Sequence, residues 1–122
     1  MTVPRRRRAW LRGRRGEGLA ACWLRLKGYR LLARNFRSGA GEIDLIARRG
    51  AVLAMVEVKT RGDLASASEA LGARQRARIV RATEAFLQQR PNLARLSIRF
   101  DVILVAPGRL PRHLLDAWRP DR

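Results

Sequence analysis

Gly41-Glu42-Ile43-Asp44-Leu45-Ile46, followed closely by Met55-Val56-Glu57-Val58-Lys59-Thr60, is the stretch on which the fold turns. Both segments are apolar and rich in Ile and Val, and Arg49-Gly50 stands between them with the composition of a tight turn. They read as a hairpin of two strands, 42–48 and 51–60. Asp44, Glu57 and Lys59 lie inside these apolar runs. Charges in such surroundings cost stability unless they are paired or hold a metal.

Side chains alternate along a strand, so residues two apart share a face. Glu57 and Lys59 therefore point the same way as Leu53 and Met55, with Val52, Ala54, Val56 and Val58 opposite. In the preceding strand, Ile43, Leu45 and Ala47 share one face, and Glu42, Asp44 and Ile46 the other. A turn at Arg49-Gly50 sets Asp44 opposite Met55, diagonal to Glu57 at ~7–8 Å. A turn shifted by one residue sets Asp44 directly opposite Glu57 at ~4.5–5.5 Å. Either register lets the two carboxylates converge on one cation. Two carboxylates are hard oxygen donors suited to Mg²⁺, with Mn²⁺ as a substitute. A metal held there can activate water and neutralise charge building on a phosphate, while a nearby lysine positions the water or stabilises the transition state. The bland alternative is a Glu57–Lys59 ion pair on a solvated face, a common and weak arrangement.

Outward from the hairpin, Leu19, Trp23 and Leu26 recur at helical spacing over 16–27, and Gly28 follows as a stop. Cys22 reads as a packed core residue of that helix. Tyr29 to Phe36 reads as a first strand, and Arg37 to Gly41 as a loop. After a polar connection, 61–68, a long helix spans about 68–90, buried through Ile79, Thr83 and Phe86 and ended by Pro91. A fourth strand covers 96–105, and His113 to Trp118 reads as a short final helix. The fold class is α/β: one mixed sheet flanked by helices.

The chain has 122 residues, which fits one domain over 15–122 behind a flexible Arg-rich arm, 1–14. Lys and Arg number 27 against 10 Asp and Glu, a net charge of +17, so nucleic acid is the leading partner class. Arg5, Arg6, Arg7 and Arg8 form either a nucleic-acid-binding arm or a solvated tail. Arg74, Arg76, Arg78 and Arg81 add a basic helix suited to phosphate contacts. A lone cysteine excludes an intrachain disulfide and fits the cytoplasm. No run approaches the ~20 apolar residues that span a bilayer, and no signal peptide is read. No membrane partner is expected.

The residues Asp44 and Glu57-Val58-Lys59 resemble the PD-(D/E)xK nuclease signature. Gly41 to Ala47 and Val56 to Arg61, with Gly28-Tyr29, Asn35-Phe36-Arg37, Arg74 to Ile79 and Arg99 to Val102, closely resemble the YraN family of small bacterial proteins. That family resembles restriction-endonuclease-like proteins and archaeal Holliday junction resolvases. The resemblance implies an αβββαβ core, a Mg²⁺-dependent endonuclease activity on DNA of branched or unusual shape, and Asp44, Glu57 and Lys59 as the catalytic set. It also implies a glutamate near the start of the first helix, for which Glu17, four after Gly13, has the matching spacing. An acid there would equally serve the helix dipole. Arg74 stands where the family often has lysine, and Met55 where it often has phenylalanine.

Glu42 reads as a support for Asp44 rather than a ligand, and Gln75 as a helix-surface residue. Asp101 reads as structural, paired with Arg99. His113, the sole histidine, reads as a helix-start or surface residue; with no second histidine and no cysteine cluster there is no zinc signal. Two functions are consistent with these residues: a metal-dependent endonuclease, and a non-catalytic nucleic-acid-binding module on the same fold. A symmetric cut across a junction would require a homodimer, for which Trp10, Trp118 or an apolar sheet edge could serve.

Overall fold

A computed structural model describes residues 5–39, 41–60 and 72–120. The elements are α1 (Arg5–Leu26), β1 (Arg30–Ser38), β2 (Gly41–Arg49), β3 (Val52–Thr60), α2 (Ala73–Gln89), β4 (Ser97–Val105) and β5 (Arg112–Trp118), with a 3₁₀ turn at Pro91–Leu93. The strands form one sheet in the order β1-β2-β3-β4-β5. β3 and β4 are parallel, joined through α2, and the other neighbours are antiparallel. No described helix is long and apolar enough to cross a membrane.

Each face of the sheet carries a helix. Ile79, Ala82 and Phe86 of α2 cover Ile46, Leu53, Met55 and Val102 on one face. Ala20, Ala21 and Leu24 of α1 cover Leu45, Ala47, Ala54, Val56 and Ile103 on the other. Burial on both faces is why β3 and β4 read as nearly continuous apolar runs. The expected alternation in β3 holds: Leu53 and Met55 meet α2, whereas Ala54, Val56 and Val58 meet α1.

Four expectations are corrected. First, α1 presents a different face. Leu19 is 53% and Leu26 82% exposed, and Cys22 is exposed too. The core-facing residues are Gly16, Ala20, Ala21 and Leu24. A Cβ at Gly16 would collide with the Thr60 side chain, so the helix lies close to the sheet at that point. Second, α1 begins at Arg5, so the segment expected as an arm continues as helix over 5–14. Arginine is a good helix former, and its propensity carries the helix through the basic run. The side chains of 5–15, with Arg5, Arg6, Arg7, Arg8 and Trp10 among them, lie outside the described residues, as do residues 1–4.

Third, the final segment is strand β5 rather than a helix. It completes the β4 edge, Leu114 and Ala117 pack into the α2-side core, and Trp118 stacks against Phe100 at 4.3 Å. Trp118 is therefore buried. Fourth, α2 starts at Ala73 rather than near 68; the polar connection expected over 61–68 falls within 61–71, which lies outside the described residues.

Gly28 behaves as expected. With φ 89 it ends α1 in a Schellman arrangement, Tyr29 N–H donating to Leu24 O and Gly28 N–H to Arg25 O.

A buried polar network ties the C-terminal end of α1 to the sheet. Asp101 is fully buried. It accepts two hydrogen bonds from Arg99, at 2.8 Å each, one from the Asp116 N–H at 2.9 Å, and one from His113 Nε2 at 2.8 Å. Lys27 Nζ lies 2.6 Å from His113 Nδ1, so a lysine ammonium donating there leaves the proton on Nε2. His113, expected at the surface, has a side chain only 2% exposed. Burial alone would raise the Asp101 carboxyl; the hydrogen bonds from His113, Arg99 and the Asp116 N–H outweigh it and hold the group below the usual carboxylate range.

Asp101→Asn should destabilise the protein by roughly 3–5 kcal/mol, because it leaves Arg99 without its buried counter-charge. The Asp101 contribution is present above the unfolded carboxylate range near 4 and is lost as pH falls through the lower folded value. Urea denaturation from pH 7 to 3 should show the gap between wild type and variant closing only at the acid end.

Candidate functional site

The β2–β3 register is the shifted one. Leu45 pairs with Val56, Ile46 with Met55 and Arg49 with Val52, so the turn is Gly50-Ala51, with Gly50 at φ 59. Continued by one step, this register brings Asp44 opposite Glu57. The ladder stops at Leu45↔Val56, however, and the Asp44 carboxylate accepts the Val58 N–H at 2.8 Å. A side chain thus replaces the backbone acceptor that β2 would have offered.

The expected alternation in β2 breaks at the same place. Ile43 and Ile46, three apart, both join the α2-side core, while Leu45 joins the α1-side core. Across the neighbouring ladder, pairing passes from Arg34↔Leu45 to Phe36↔Ile43, omitting Asn35 and Asp44, and Asn35 has φ 50. The register itself is unchanged across that gap; its one shift lies between Leu31 and Ala33. The assignment of Ile43 to the Leu45 face is corrected by its place in the α2-side core.

Asp44 and Glu57 line one cleft and interact through their charge, and Gln75 Nε2 of α2 donates to Glu57 Oε1 at 3.3 Å. Burial first, then the Asp44 charge and the shared hydrogen bond, push the Glu57 carboxyl far above its ordinary range, against the pull of Lys59. Lys59 follows Glu57 on the face of Met55 and Leu53 and acts on Glu57 through its charge. Glu17 lies on α1 within the field of Asp44 and Glu42. Burial raises its carboxyl, and a hydrogen bond from Asn35 partly offsets that. Because α1 begins at Arg5, Glu17 stands well inside the helix, and the dipole role has no basis.

A cleft of about 460 Å³ opens over the pair, lined by Glu42, Asp44, Glu57, Arg74, Gln75 and Arg78 among others. Its walls are acidic on the strand side and basic on the helix side. Glu42 is paired with Arg37 at 3.5 Å. Gln75, expected at the helix surface, is half-buried and is the residue that sequence reasoning missed. Its spacing of four before Ile79 was the available signal, since the two share a helix face. The basic helix divides: Arg74 and Arg78 line the cleft, Arg76 lies over the Trp118 ring at 5.6 Å, and Arg81 is exposed.

Among the described residues, no three His, Cys, Asp or Glu side chains gather closely enough to hold a metal ion by themselves. The pair Asp44 and Glu57 nonetheless suits Mg²⁺, which takes one or two carboxylates and keeps water and phosphate oxygens as its other ligands. Two carboxylates lining one cleft form a hard oxygen donor set whose mutual repulsion a divalent cation would relieve.

These features describe an α/β protein with a two-carboxylate cleft under a basic helix. The sequence matches the model of "Uncharacterised protein family UPF0102" over residues 16–105, and the chain belongs to this family, the YraN family. It is 59% identical over 114 residues to a UPF0102 protein of Paramagnetospirillum magneticum, covering 90% of this chain and 88% of that one. It is 54% identical over 112 residues to one of Parvibaculum lavamentivorans, covering 92% and 84%. A UPF0102 protein of Maricaulis maris is 50% identical over 115 residues, covering 94% and 91%.

Gly41 sets the wall of the cleft. A Cβ there would collide with the Arg78 carbonyl of α2. Gly41→Ala should therefore cost about 1–3 kcal/mol through overpacking, whereas Gly39→Ala, with open space around it, should be close to neutral. Urea denaturation of the two variants checks this.

Proposed function

We propose that this protein is a divalent-cation-dependent endonuclease of the restriction-endonuclease-like class, acting on DNA of branched or otherwise irregular shape. The observation that carries the reading is that Asp44 and Glu57 line one cleft whose opposite wall holds Arg74 and Arg78. The element order α1-β1-β2-β3-α2-β4 agrees with the αβββαβ core of that class. The net charge of +17 supports a polyanionic substrate.

On this reading Asp44 and Glu57 hold Mg²⁺ or Mn²⁺, which when bound supplies an activated water and neutralises charge on the scissile phosphate. The Val58 N–H fixes one Asp44 oxygen, and the Gln75 amide fixes one Glu57 oxygen, so both carboxylates are oriented before substrate arrives. Lys59 lowers the proton affinity of Glu57 and orients the water or stabilises the transition state. Glu17 assists from α1. Arg74 and Arg78 take phosphates flanking the cut, and the exposed Arg81 adds positive charge on the same helix.

The charge by itself equally supports a binding module without turnover. Both readings predict DNA binding that weakens steeply with salt. Turnover separates them. A panel of single-stranded, duplex and branched DNA, incubated with Mg²⁺ or Mn²⁺, should be cleaved by the wild type and not in EDTA. Lys59→Ala should lower turnover by roughly 10²–10⁴-fold with DNA affinity little changed. Cleavage by the variant at the wild-type rate would remove Lys59 from the mechanism. No metal-dependent product from any substrate would leave the binding module.

A further inference from the structure

Glu42 lines the same cleft as Asp44 and Glu57 but has no part in the cation pair. Its carboxylate is partly exposed, and a negative charge there repels the phosphates that Arg74 and Arg78 attract. Arg37 offsets it. The Arg37 Nε lies 3.5 Å from Glu42 Oε2, and the arginine side chain is 75% exposed. An ion pair this open contributes little to stability. Its effect is to hold a guanidinium at the rim of the cleft. The contact uses Nε, which leaves the terminal N–H groups of the planar fork outside it, in the geometry that suits a phosphate. The backbone fixes where that fork stands. Arg37 pairs with Glu42, and Ser38 with Gly41, across the β1–β2 ladder. Gly41 approaches α2 so closely that a Cβ would meet the Arg78 carbonyl. The end of the β1–β2 hairpin is therefore seated against α2 at Arg78. Arg74, Arg78 and Arg81 stand at i, i+4 and i+7, so they form one exposed stripe on that helix.

We propose that the end of the β1–β2 hairpin is a second phosphate-binding rim of the cleft, on which Arg37, held by Glu42, takes a backbone phosphate of the DNA that Arg74 and Arg78 grip from α2. That role rests on the proposed reading of the cleft as a nuclease site. It gives the DNA two banks, one from the hairpin and one from the helix, in place of a single basic helix. Glu42 then serves as a holder for Arg37, which is why an acid that would repel the substrate stands in the cleft. Arg37 recognises the phosphodiester backbone and not the bases, so it contributes on any DNA shape that enters the cleft.

The test is DNA binding in EDTA, where no cleavage intervenes, read by fluorescence anisotropy on labelled duplex and branched DNA over a series of salt concentrations. Arg37→Gln should weaken binding roughly 3–10-fold on every substrate and make the salt slope shallower by about 1. Arg95→Gln removes the same charge from an exposed residue beyond the far end of α2, since the cleft is lined by the first turns of that helix. It should leave the slope at its wild-type value. Adding Glu42→Gln to Arg37→Gln removes the repelling acid, so part of the affinity should return while the slope stays shallow. Wild-type binding by Arg37→Gln, or an equal loss in Arg95→Gln, would overturn the second rim. Recovery of both affinity and slope in the double variant would reduce Arg37 to a shield for Glu42 and overturn its phosphate contact. Each of those results leaves the nuclease reading intact if the wild type still cleaves DNA with Mg²⁺ or Mn²⁺. A wild type that binds no DNA at low salt would overturn the nuclease reading, and the second rim with it.

Discussion

The hydrogen bond from the Val58 N–H to the Asp44 carboxylate is the contact on which the site depends. In an uninterrupted antiparallel pair, β2 would supply a backbone acceptor there, and Asp44 would point along the regular alternation. Instead the β1–β2 pairing skips Asp44 and Asn35, and the ladder to β3 ends one step short. The carboxylate fills the opening and accepts the Val58 N–H. A half-buried carboxylate held by a backbone N–H is fixed in place more firmly than one on a free side chain, and the Glu57 carboxyl shares its cleft.

The rest of the fold keeps that opening in place. α1 approaches the sheet through glycine and alanine, and α2 approaches the start of β2 through Gly41, where any side chain would meet the Arg78 carbonyl. Close helices on both faces surround the acid pair with low-dielectric material, which is why burial is the largest influence on Glu57. Far from the cleft, the Asp101 network anchors β4, β5 and the end of α1 through Arg99, His113 and Lys27. The two polar centres sit in one sheet but are treated differently. Asp101 is surrounded by donors, which lower its carboxyl below the usual range, whereas burial and a second acid raise Glu57.

Residues that meet their partners close by in sequence were legible in advance. The hairpin, the Gly28 helix stop, the faces of β3 and the buried stripe of α2 all follow from short-range periodicity and turn chemistry. Asp44, Glu57 and Lys59 stand out by charge in apolar surroundings; Asp44 and Glu57 line one cleft, and Lys59 acts on Glu57 through its charge. What failed depended on neighbours far along the chain. Leu19, Cys22 and Leu26 have the spacing of a core stripe, but α1 turns Gly16, Ala20, Ala21 and Leu24 to the sheet instead. His113 to Trp118 could form a helix in isolation; the open edge of β4 makes it a strand. Gln75 reads as one more polar residue on a basic helix until α2 is laid across Glu57.

The sequence by itself determined the family, the basic character, the central hairpin and the identity of its buried charges, because each is written in composition or in spacings of two to four residues. Only the tertiary structure decided the register at Gly50-Ala51, the positive φ of Asn35, and the burial of His113 and Gln75's partner. A one-residue register shift leaves local pattern almost unchanged while moving every cross-strand neighbour, so packing against α1 and α2 had to select it.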